Sequence, residues 1–150
     1  MNDTATTYGI DLDEFVGDYV RAALFSTTDE SNEQGGEPMD RNYGPEDIAP
    51  EAMEAIRADC LAFLNDFNGG GMIALAERRE AAGRWGHTKG SPDDTPTAHA
   101  GRDFWYTRAG HGCGFWDGDW PDRLGNRMER LAKRFGEVWI YVGDDGRLYV

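Results

Sequence analysis

Helical spacing dominates the first half of the chain. Residues 11–25, DLDEFVGDYVRAALF, place apolar side chains at 12, 15, 16, 19, 20, 23 and 24, one face of a helix. Asp11 stands at the N-cap position with Glu14 three residues on, the pattern of a capping box. Residues 26–44 are polar and acidic, contain Gly35, Gly36 and Pro38, and predict a long loop. A second helix is predicted over 45–67, where Met53, Ile56, Cys60, Phe63, Leu64 and Phe67 share a stripe. Pro50 suits its first turn, and Glu46, Asp47 and Glu51 favour the positive end of its dipole. The run NGGG at 68–71 predicts its end; a weaker helix over 72–83 and a second long loop over 84–101 follow.

Strand-like composition takes over in the second half. DFWYTR at 103–108, the glycine-rich AGHGCG and the following FWD together predict a hairpin over 103–117. A helix follows over 119–135, with Trp120, Leu124, Met128, Leu131, Ala132 and Phe135 on one face, Asp119 as N-cap and Gly136 as stop. EVWIYV, 137–142, reads as a buried strand that GDDG turns back into a terminal RLYV strand. The expected class is α+β: an acidic helical N-terminal half packed on a small, mainly antiparallel C-terminal sheet with one helix. One domain is expected over 1–150, in which residues 1–83 are acidic and helical, 84–101 form a loop and 102–150 run hairpin, helix, hairpin.

Charge sharpens this picture. The net charge is -13, and residues 1–60 carry 15 Asp and Glu against 3 Arg, so the excess sits in the helical half. Such a face repels nucleic acid and anionic membranes and attracts basic surfaces, including those that ordinarily hold DNA or RNA. No apolar run approaches the ~20 residues that span a bilayer. The N-terminus lacks the basic region and apolar core of a secretory signal, so an intracellular protein is expected. Cys60 and Cys113 are too few and too far apart for a zinc pattern, and read as two free thiols.

Candidate chemistry concentrates at 100–121, AGRDFWYTRAGHGCGFWDGDWP. His111, between two glycines, can act as a general base oriented by Asp117 or Asp103, with Arg108 and Arg102 holding a phosphate. That is the arrangement of a small hydrolase or nuclease built on His111, Arg108 and Asp117. Against it, a lone His in a glycine-rich turn also serves simply as a turn residue. His111, Asp117 and Asp119 with His87 or His99 would make a metal site, but no predicted helix brings two His together, and no metal or cofactor is expected. The glycines lack the GK[ST] of a phosphate loop, and GDDG lacks the ligand pattern of a calcium loop. Trp105, Trp116, Trp120 and Trp139 can stack bases, yet aromatic residues at strand positions more often build core. Arg123, Arg127, Arg130 and Arg134 fall on the outer face of the 119–135 helix and read as a solvated face.

The acidic half offers the sharper reading. Glu14, Asp18, Asp29, Glu30, Glu33, Glu37, Asp40, Glu46, Asp47 and Glu51, continued by Glu54 and Asp59, lie on two predicted helices and their connection. Carboxylates fixed at helical spacing can imitate the charge density of a nucleic-acid backbone and block an Arg- and Lys-lined groove.

DFWYTRAGHGCGFWDGDW resembles the DFW-x-TR-x-GHG-x-GFWD signature of a family of small acidic proteins encoded by bacteriophages and other mobile elements. YVRAALFSTTDE is similar to that family's first helix and acidic turn, NYGPEDIAPEAMEAIRADCLAF to its second helix, and FGEVWIYVGDDGRLYV to its closing hairpin. Phe25, Tyr106 and Cys113 stand where the family pattern has Trp, Leu and Ala. The family has no agreed catalytic residues, so the resemblance implies a setting: a phage-borne accessory protein in the host cytoplasm. The expected function is binding rather than catalysis. The acidic residues would hold and inhibit a basic, nucleic-acid-handling host protein such as a nuclease, CRISPR effector or restriction enzyme. No direct contact with nucleic acid or membrane is expected.

Overall fold

The structure is a computed structural model that describes residues 7–31, 36–86 and 94–150. Its first helix, α1 (Leu12–Ser26), begins where expected: the Asp11 carboxylate accepts from the backbone N–H of Asp13 and Glu14. The second half of the capping box is not made, because Glu14 turns away to accept from the Thr95 hydroxyl at 2.8 Å. The stretch that predicts one long loop holds two short paired strands, β1 (Thr28–Asp29) and β2 (Glu37–Pro38), and a 3-10 turn over Met39–Arg41. Helix α2 (Pro50–Asn65) carries Pro50 in its first turn, where the missing N–H is no loss.

NGGG does not end the helical run. Phe67–Gly71 form a π-helical turn that passes straight into α3 (Met72–Ala81). Side chains are impossible there, since a Cβ on Gly69 or Gly70 would strike the carbonyls of Phe63 and Leu64. The glycines let the chain fold over the end of α2.

The largest departure from expectation lies at 103–117. DFWYTR belongs to helix α4 (Pro96–Ala109), and no hairpin forms there. Thr95 caps the helix by accepting from the Ala98 N–H, Pro96 fills its first position, and Gly110 closes it at φ +77. Its buried face runs Ala100, Phe104, Trp105 and Arg108, a helical rather than alternating period. Tertiary packing decides the outcome over the strand-like preference of Phe, Trp and Tyr. Gly101 brings α4 against α1 so closely that a Cβ would meet the Phe15 carbonyl, and these two helices form the most extensive pair in the molecule.

Helix α5 (Leu124–Arg134) starts later than expected, and Asp119 does not cap it. Asp122 and Arg123, both at positive φ, turn the chain into the helix instead. Gly136, at φ +81, follows its end. The expected terminal strands shrink to β3 (Tyr141–Val142) and β4 (Leu148–Tyr149), paired antiparallel around the 143–146 turn. Leu148 bridges to Ile48, and its carbonyl accepts from the Ala49 N–H at 2.9 Å, so the last hairpin docks on the start of α2. The architecture is α+β: five α-helices among the described residues and two small antiparallel ladders. Phe15, Phe63, Phe104, Phe115 and Phe135 meet at the centre, with Phe63 and Phe104 ring centroids 4.4 Å apart. No described helix is long and apolar enough to cross a membrane.

Candidate functional site

Arg108 is the most deeply committed polar group of the signature stretch. Its side chain is 5% exposed. Nε donates to the Gly136 carbonyl and one terminal nitrogen to Phe135, at 3.1 and 3.3 Å. The other terminal nitrogen donates to the Tyr19 hydroxyl at 3.0 Å and to Asp59 Oδ2 at 3.1 Å. Its guanidinium also lies over the Phe104 and Phe135 rings. One cation thus satisfies the carbonyls at the end of α5 and ties α1, α2 and α4 together. Burial pushes the neighbouring Tyr19 hydroxyl and Cys60 thiol well above their ordinary pKa values, so both stay protonated.

The expected phosphate-holding role for Arg108 is therefore corrected: its donors are spent inside the protein. Arg102 is spent as well, paired with both oxygens of Asp94 at 2.8 and 2.7 Å and with Asp18 at 3.2 Å. His111 sits exposed just beyond α4, its ring edge-on to Tyr106 with centroids 5.7 Å apart. Asp117 accepts from the N–H groups of Gly114 and Asp119, folding the loop. No hydrogen bond or ion pair joins His111, Arg108 and Asp117 among the described residues.

A different titratable group is assembled around His99, a residue whose sequence context predicts a loop. His99 Nε2 lies 3.2 Å from Asp103 Oδ2 and 3.6 Å from Asp119 Oδ2. Trp120 Nε1 donates to that same Asp103 oxygen at 2.8 Å, and its ring packs on His99 at 4.9 Å. Trp85 stacks on Trp120 and donates to the Asp119 carbonyl. Burial pulls the His99 pKa down, but the hydrogen bond and charge of Asp103 push it up and prevail, with Arg102 opposing and Asp119 assisting. Burial and then the charges of Asp103, Asp117 and Asp119 raise the Cys113 pKa, which keeps it a thiol and unsuited to nucleophilic attack. Among the described residues no three His, Cys, Asp or Glu side chains converge as metal ligands. His87 lies outside the described residues.

The acidic residues divide into two sets. Asp29 is 1% exposed and accepts from the Ser31 N–H and hydroxyl and from Asn42; the Ser31 hydroxyl chiefly holds its pKa low. Asp18 is buried between Arg21 and Arg102. Asp47 accepts from the Gly44 N–H, Glu37 from Asn42, and Glu14 from Thr95. These carboxylates fold the chain. Glu30, Asp40, Glu46, Glu51 and Glu54 are exposed and have no hydrogen bond or ion pair among the described residues. Glu33 lies outside the described residues.

Beside them lies a surface that the sequence pattern assigns to the core. Glu137, Trp139 and Tyr141 alternate outward while Val138, Ile140 and Val142 turn inward. Trp139 is 64% exposed and Trp116 50%, whereas Trp105 and Trp120 are buried. Residues Asp59, Glu137, Trp139, Tyr141 and Val150, with Arg108 at the back, line an open groove of about 670 Å³. A smaller groove shares Tyr141 and reaches Glu30. Elsewhere, Arg127, Arg130 and Arg134 stand exposed beside Phe67 and Asn68 around a groove of about 500 Å³. Comparison of the chain with protein-family models, with curated proteins and with solved structures finds no match.

Proposed function

We propose that the protein is a binding module that inhibits a basic, nucleic-acid-handling host protein by occupying its cationic groove with carboxylates. The observation that carries this reading is the division among the acids. The free set, Glu30, Asp40, Glu46, Glu51 and Glu54, stands outside every internal ion pair and faces solvent. Glu51 and Glu54 are three residues apart on the first turns of α2, so they share one face, and Glu46 lies on the 3-10 turn just before it. The terminal hairpin docks beside them, and Glu51 acts electrostatically on Tyr149. Fixed carboxylates of this kind steer a basic partner over distances that salt shortens. The resemblance of 103–117 to the phage signature supports a host cytoplasmic setting and a counter-defence role against a nuclease, CRISPR effector or restriction enzyme.

The test is capture from bacterial lysate by the tagged protein at low and at high salt, beside a variant with Glu46, Glu51 and Glu54 all changed to Lys. The expected result is a basic nucleic-acid-binding protein held at low salt, released at high salt and not held by the variant. Capture that ignores the charge reversal would overturn the reading.

A further inference from the structure

Trp139 gives the acidic surface a specific seat. Beyond Gly136 the chain alternates, with Glu137, Trp139 and Tyr141 on its outer side. Alternate residues of an extended chain stand roughly 6–7 Å apart on one face. This puts an open indole between a carboxylate and a phenol ring. Asp59 lines the same groove, its side chain 43% exposed. Arg108 takes Asp59 Oδ2 and leaves Oδ1 with no hydrogen bond among the described residues. Arg108, 5% exposed at the back of the groove, thus orients the carboxylate and leaves its second oxygen toward the opening. The groove therefore joins an aromatic wall to two carboxylates, Asp59 and Glu137.

The chemistry selects the occupant. A purely apolar partner would strip water from Glu137 and the free Asp59 oxygen without pairing them, and an anionic one would meet two carboxylates against one cation. A guanidinium suits all three groups: it is planar, stacks on an indole and donates in a fork to carboxylates. An ammonium offers a point charge and no stacking plane. Tyr141 then continues the seat toward Glu30 in the adjoining groove.

We propose that the groove between Asp59, Glu137, Trp139 and Tyr141 seats an arginine-bearing segment of the partner protein, one guanidinium stacking on Trp139 and pairing with Asp59 and Glu137. This rests on the reading that the partner is basic, and it names the segment of the partner that docks.

The experiment uses the full chain and a fluorescein-labelled peptide of alternating Arg and Ser, with Lys and citrulline versions as controls. Fluorescence anisotropy at low salt should show the Arg peptide bound, the Lys peptide weaker and the citrulline peptide unbound. Trp139→Ala should weaken the Arg peptide roughly tenfold, as loss of a partly desolvated cation–π contact would. Glu137→Gln should weaken it severalfold. Both positions are exposed, so neither change threatens folding. The inference is overturned if the Arg peptide does not bind, or if both variants bind it within about twofold of the parent, a change too small for a lost stacking contact. The Glu46, Glu51 and Glu54 reversal separates the two claims. If it abolishes capture from lysate while Trp139→Ala leaves peptide binding unchanged, the groove fails and the acidic reading stands. If it leaves capture intact while Trp139→Ala costs peptide affinity, the acidic reading fails and the groove stands.

Discussion

Helix α4 and the terminal segment 137–150 use the same residue types in opposite ways. Along α4, Arg102, Asp103 and Arg108 all meet partners inside the protein, and Phe104 and Trp105 are fully buried. Along the terminal segment, Glu137, Trp139 and Tyr141 face water. A dense, chemically rich stretch is therefore not by itself a site. What separates structure from recognition is whether each polar group already has its partner. By that measure the polar groups of α4 build the fold, and the surface beside α2 and the last hairpin is the one proposed to meet a partner.

Arg108→Met should break this contrast most severely. It would leave the Phe135 and Gly136 carbonyls and the Tyr19 hydroxyl without their donor, at a loss of about 3–5 kcal/mol. Urea denaturation measures it, and Arg108→Lys should restore only a fraction, because an ammonium cannot reach all four acceptors. A loss below about 1 kcal/mol would remove Arg108 from the centre of the fold.

Gly101→Ala should come next. Its methyl group would press on the Phe15 carbonyl and push α1 from α4, a packing fault worth about 1–3 kcal/mol. A thermal midpoint equal to that of the parent would show that the two helices yield without strain.

The His99 cluster predicts a smaller, pH-dependent effect. Its folded pKa is raised above the ordinary value, so its contribution is fully present below about pH 6.5 and is lost as pH rises through the folded value. Urea midpoints measured through this window should fall with rising pH. The fall should flatten or reverse in Asp103→Asn, where burial is left to pull the His99 pKa down against Asp119 alone. An identical slope in both proteins would contradict the role given to Asp103. Trp139→Ala should change stability least, within about 0.5 kcal/mol, while costing peptide affinity.

Much of this is legible in the sequence, and the failures have physical causes. Asp11, Pro50 and Gly136 mark helix ends correctly because caps are local chemistry. Helix α4 escapes a sequence reading because its aromatic residues look strand-like, although Thr95, Pro96 and Gly110 are its start and stop signals. Asp119 looks like an N-cap, but the backbone turns into α5 later, at Asp122 and Arg123. Among the acids, sequence can count charge but not direction. Local neighbours help hold Asp18 and Asp29, through Arg21 and Ser31, but the Arg102 that closes over Asp18 stands 84 residues along the chain, where no local pattern reveals it. Trp139 looks like core in the sequence because alternation fixes two faces without saying which one is covered.

The most direct test of the contrast is a backbone amide NMR titration of the full chain with the alternating Arg peptide. The account predicts shift changes confined to residues around Asp59 and along Glu137–Tyr141, extending toward Glu30, with Gly110–Asp119 unmoved. Changes centred on His111 and its loop would contradict it and return the signature stretch to the role of binding site.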